Sequence, residues 1–223
     1  MILSLSEFAN FDIYWVDSYP ETRSDVIVCK DACFTQKRGK NHSGNTCDCP
    51  VKHHESLFVL AADVKAMEDY VHERHAGRPH VPHDSTGDDG YKPGMKVPNS
   101  VLNECSDSFI ATDEKHEKVS TQFFADTGLM ALLCRHDRPL WLVNMTSAGE
   151  KQHYALALLD RLVKNLPPNV TIGNLYDIAC QLHQSCVKWG FLDEAMDHVR
   201  FAVSIFHAYG HHIRKMHLCY YSY

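Results

Sequence analysis

Apolar positions along the chain switch between two periodicities. The stretch Asp25-Val-Ile-Val-Cys-Lys-Asp31-Ala-Cys-Phe34 is β-branched and apolar, which predicts a strand. Between residues 56 and 74, Leu57, Leu60, Ala61, Val64, Met67 and Val71 recur at intervals of three and four, the spacing of an amphipathic helix. Periodicity then stops in a Pro-, Gly- and His-rich segment, residues 76–99, expected to be an exposed and flexible part of a longer insertion over about 39–122. Two apolar runs, Thr127 to Cys134 and Pro139 to Met145, bracket Arg135-His-Asp-Arg138 and predict a hairpin buried on both faces. Ser147-Ala-Gly-Glu150 matches a capping box. Ala155, Leu158, Leu159, Leu162, Val163 and Leu166 then form one helical stripe, ended by Pro167-Pro168. Val170 to Asp177 reads as a strand ending on an aspartate, followed by a helical region carrying Cys180, His183, Cys186 and Trp189. The order is strand, insertion, hairpin, helix, strand, helix: an α/β domain with a sheet of about four strands.

Composition narrows the function. With 223 residues, 44% hydrophobic and 22% charged, the chain is long and apolar enough to bury a core. No apolar run reaches membrane-helix length and the start lacks a signal-peptide pattern, so an intracellular protein is expected. A formal charge of −6 is unlike a self-sufficient nucleic-acid-binding domain, so any grip on DNA would lie largely elsewhere. Nine cysteines, an odd number, point to reduced thiols.

Two constellations carry candidate chemistry. Asp31 and Asp177 each lie on or at the end of an apolar strand; carboxylates so placed suit Mg²⁺, which takes oxygen ligands and keeps waters for substrate phosphates. Strands also end in Asp simply because it starts turns. The second constellation is sulfur and imidazole: Cys29 with Cys33, Cys134 with His136, His207 with His211, and Cys47, Cys49 and His53, close enough to share a zinc ion. No paired Cys-x-x-Cys occurs, and small core thiols with a solvated His-rich loop are the preferred reading.

Several longer runs resemble the fungal KDZ (Kyakuja, Dileera, Zisupton) transposases. They are Asp31-Ala-Cys-Phe-Thr-Gln-Lys-Arg38, Asp88 to Pro98, Cys105 to Glu114, Phe123 to His136, Ser147 to Lys151, Leu175-Tyr-Asp-Ile-Ala-Cys-Gln181 and Phe206 to His211. Together they span about residues 24 to 211 in the family's order, with 1–24 as an N-terminal remnant and 212–223 as a divergent tail. The resemblance implies a partial ribonuclease-H-like core of DDE type that cuts and joins DNA with Mg²⁺ or Mn²⁺. On that fold the first carboxylate sits on the first strand, a hairpin and a crossover helix follow, and the second carboxylate ends the fourth strand. Asp31 and Asp177 stand at those positions, with Asp126 of Asp126-Thr-Gly128 the rival for the first. DNA (transposon ends and target) would be the partner, the nucleus the compartment, with no membrane contact; self-association is left open.

Two departures are evident. Ala179 replaces the family's usual glycine, and the later Glu-Gly-x-Glu-Arg motif, source of the third acidic ligand, is absent. The expectation is a truncated or frame-shifted relic, or a mis-predicted gene, inactive or nearly so by itself; the alternative is a non-catalytic remnant acting as a zinc-stabilised or nucleic-acid- or protein-binding module.

Overall fold

The structure, a computed structural model, describes residues 13–15, 24–40, 57–76, 90, 99 and 123–204. Cys47, Cys49 and His53, most of the segment read as an insertion, and His207 with His211 lie outside the described residues.

The first apolar run forms an eight-residue strand, β2 (Val26–Cys33). It follows a short strand, β1 (Ile13–Trp15). The predicted hairpin is present as β5 (Gly128–Cys134) and β6 (Pro139–Met145), antiparallel, with β5 also antiparallel to β2 so that Asp31 lies opposite Ala131. Its turn is closed by Cys134 N–H donating to Arg138 O, with Asp137 at φ 59°, a left-handed position that aspartate tolerates better than most residues. β5 is the interior strand; β6 is half-exposed, with Asn144 open to solvent, so burial on both faces holds for only one of the two runs. A separate two-stranded ribbon pairs β3 (Arg38–Gly39) with β4 (Phe124–Asp126).

Past the hairpin the chain crosses to the other side of β2. β7 (Ile172–Leu175) runs parallel to β2, β8 (Val199–Ser204) runs parallel to β7, and β1 closes that side antiparallel to β8. The sheet order is β1-β8-β7-β2-β5-β6, six strands where the sequence suggested about four. β8 carries a period-two signal, Val199, Phe201 and Val203 buried on one face, which was overlooked beside the preceding 3-10 segment Asp193–His198.

Three helices cover one face of the sheet. α1 (Ala61–Ala76) buries Val71 and packs on α2 (Gln152–Lys164), which buries Tyr154 through Leu159 and Leu162. α3 (Ala179–Trp189) contributes Cys180, Leu182 and Cys186, and ends at Gly190 with φ 66°, a left-handed C-terminal position that suits glycine. Val28, Met130, Leu132, Ile172 and Phe201 meet these helices in a single core. Leu57 and Leu60, read as helical, precede α1 and are exposed; there the chain bridges the edge of β6 instead, Val59 N–H donating to Leu142 O and Leu142 N–H to Leu57 O.

The capping-box reading is corrected. α2 starts at Gln152 with Lys151 as its N-cap residue and no side-chain cap, because Gly149 at φ 75° is left-handed and breaks any helix through residues 148–151. Ser147 and Glu150 bond elsewhere, as described next. No helix among the described residues is long and apolar enough to cross a membrane.

Candidate active site

The chain leaves β2 toward β5 and β6 on one side and later returns to β7 and β8 on the other, so the strand order reverses between β2 and β7. In open α/β sheets the crevice outside the carboxyl ends of parallel strands at such a point is where ligands bind. Asp31 stands near the carboxyl end of β2, and Asp177 follows the carboxyl end of β7 by two residues. The β2–β7 register, Val26 beside Ile172 through Cys29 beside Leu175, carries Asp31 toward Asp177 if extended by two residues.

Alternation along β2 separates two kinds of side chain. Val28 and Lys30 face the helices and are buried; Cys29 and Asp31 face the other way and are partly accessible. Burial, then the charges of Asp31 and Asp177, push the Cys29 thiol up to about 12, so both carboxylates act on the same sulfur and hold it protonated. One Asp177 oxygen, Oδ1, accepts the backbone N–H of Ile178 at 2.8 Å.

Lys30 is 2% exposed, its Nζ 4.9 Å from the centre of the Tyr176 ring and without a hydrogen-bond partner. Burial pushes this amine down to about 7, against opposing pulls from Cys186, Glu150, Cys29 and Asp177. Tyr176 is buried and donates its phenolic O–H to Glu150 Oε1 at 2.6 Å. Glu150 is pushed up to about 8 by burial first and Asp177 second, with Asp31 adding to the rise; the Tyr176 hydrogen bond and Lys30 oppose it. Three carboxyl groups from well-separated parts of the sequence therefore share one electrostatic neighbourhood.

The loop carrying Glu150 is held at several points. Tyr154 Oη accepts the backbone N–H groups of Thr146 and Ser147, each at 2.9 Å. With both lone pairs engaged, its own proton is directed to Ser147 Oγ at 2.8 Å. The Thr127 hydroxyl lies 3.1 Å from Met145 O and 2.5 Å from Ser147 O.

Asp126, the rival first position, is placed differently. It ends β4 in the ribbon, and its Oδ2 takes Arg38 Nε–H at 2.5 Å. Its charge is not among those that shift Cys29, Glu150 or Tyr176. The structure thus groups Asp31 with Asp177 and leaves Asp126 with Arg38. Glu150 and Lys30 escaped sequence reading: the first was disguised as a capping residue, although Gly149 beside it argued against a helix there, and the second was one lysine inside an apolar strand.

The donor set is one of hard oxygens beside a protonated thiol, which fits a Mg²⁺- or Mn²⁺-like ion better than a thiophilic one. Among the described residues no three acidic, histidine or cysteine side chains already enclose a point, so an ion here would be held by two carboxylates and retain several waters.

Comparison with known proteins supplies the remaining context. Neither a curated protein nor a solved structure matches the chain. A sequence model of the Kyakuja-Dileera-Zisupton transposases matches residues 24–222, which include every strand of the sheet except β1 and all three carboxylates at the switch point. By that match, over most of its length, the chain belongs to the Kyakuja-Dileera-Zisupton transposase family.

Proposed function

We propose that this chain carries the catalytic core of a DNA transposase, a ribonuclease-H-like site of DDE type in which Asp31 and Asp177 hold a divalent cation for phosphodiester cleavage and strand transfer. The observation that carries the reading is the meeting of these two aspartates across the parallel β2–β7 pair, on the first and fourth strands counted from β2. The order strand, hairpin, crossover helix, strand is the one this fold requires. When bound, Mg²⁺ or Mn²⁺ supplies Lewis-acid stabilisation of the transferring phosphoryl group and acidifies an attacking water or 3′ hydroxyl. The protein's part is to fix both carboxylates on backbone already locked into the sheet, so that little reorganisation is left for the reaction. DNA is the substrate, and the acidic balance of the chain places much of the non-specific grip outside these residues.

The test uses the full chain with a labelled DNA duplex and Mg²⁺ or Mn²⁺. Nicking is expected, with Asp31→Asn and Asp177→Asn each losing well over the roughly 100-fold that removal of an outer-shell partner costs at metal sites. Asp126→Asn is expected to cut like the parent chain, since its carboxylate serves Arg38. Cleavage that survives both Asp31→Asn and Asp177→Asn, or that is lost only with Asp126→Asn, would sink the assignment.

A further inference from the structure

We infer that Glu150 is the third acidic group of the Asp31–Asp177 centre, delivered by the loop between β6 and α2. This inference rests on the metal-dependent reading above and deepens it. Glu150 is positioned by a neighbour of one aspartate: Tyr176, which precedes Asp177, grips Glu150 Oε1 at 2.6 Å while its own N–H is anchored to Ala202 O. The loop that bears it is pinned by Tyr154 at two successive amides and by Thr127 at a carbonyl, so the carboxyl sits on restrained backbone. An acidic residue serving only as acceptor for a tyrosine would need no negative charge, since a glutamine offers the same oxygen.

The neighbour of the other aspartate supplies a second, independent sign. Lys30 precedes Asp31, is 2% exposed, and its Nζ has no hydrogen-bond partner, an arrangement costly to maintain unless its charge is used. Glu150 and Asp177 are among the groups whose charge it meets. Three carboxylates and one ammonium leave a net charge of −2, the complement of one divalent cation. The centre so assembled uses only residues between β2 and α3, and needs no acid from beyond β8.

The experiment is equilibrium Mn²⁺ binding to the full chain, read by the electron paramagnetic resonance signal of free Mn²⁺, alongside thermal melts with and without Mn²⁺. Asp31→Asn should abolish binding. Glu150→Gln should weaken it by roughly 10-fold or more, on the scale of metal-site losses, while its metal-free melting temperature stays at or above that of the parent. Tyr176→Phe, which leaves the carboxyl in place but unheld, should also weaken binding, by roughly 10-fold. If Glu150→Gln does not fold, the Tyr176→Phe result decides. Parent-like affinity in the deciding variant, with binding still lost in Asp31→Asn, overturns the role of Glu150 and leaves the two-aspartate reading standing. Binding that is absent from the parent, or unaffected by Asp31→Asn, overturns both.

Discussion

Glu150 and Lys30 place opposite pH dependences in one pocket. The folded chain keeps the Glu150 proton up to about 8, whereas the unfolded chain releases it near the ordinary 4.5. Between those values the folded state binds more protons, so this residue makes stability fall as pH rises across the window. Lys30 releases its proton at about 7 when folded and near 10.5 when unfolded. There the unfolded state binds more protons, and stability rises with pH through that range. Two denaturation series check the signs. Glu150→Gln should flatten the loss of stability between pH 5 and 8. Lys30→Met should exceed the parent by about 1–3 kcal/mol below pH 7, the range seen when buried charges are replaced by apolar groups, and the advantage should fade toward pH 10.5. The Arg38–Asp126 pair makes a useful contrast: Arg38 is largely exposed, so Asp126→Asn should change stability by less than about 1 kcal/mol.

Among the elements, the strands around β5 are the least forgiving. A Cβ added at Gly128 would lie 2.6 Å from Met145 Cε and 2.9 Å from the Cys33 carbonyl oxygen, and the latter is backbone that cannot swing aside. Gly128→Ala is therefore expected to cost about 1–3 kcal/mol in urea denaturation, the usual cost of overpacking. Tyr154→Phe removes the acceptor for two amides and should cost a similar amount, about 1–3 kcal/mol, with faster hydrogen exchange at Thr146 and Ser147. Elements were legible where one local signal dominated: the hairpin from two apolar runs around a polar turn, and α2 from its single stripe. The helix start was not, because Ser147 and Glu150 satisfied a capping pattern while their partners, Tyr154 and Tyr176, lay on elements the local sequence does not reveal. α1 shows the same limit at its entry, since Leu57 and Leu60 continue the helical spacing but their segment runs along the edge of β6.

Across the whole molecule, family membership was readable from long motifs, and Asp31 and Asp177 could be singled out because each closes an apolar run. What pattern could not supply was the third member of the group, because Glu150 meets the aspartates only through the sheet order and the loop clamps. β2 and β7 are joined by no short turn: the ends of the pair meet where Thr171 N–H donates to Asp25 Oδ2, 146 residues apart in sequence. By contrast, β5 and β6 are joined by four residues. Closing the longer loop carries the greater entropic cost, and contacts of such separation form late. The hairpin can thus gather before any carboxylate has found its neighbour. In stopped-flow refolding with Mn²⁺ present, the hairpin's Trp141 fluorescence should change in an early phase and metal uptake only in the last one. The chain would then acquire its affinity for a cation as the final event of its folding, and any delay in closing the β2–β7 pair would be read out directly as a delay in competence.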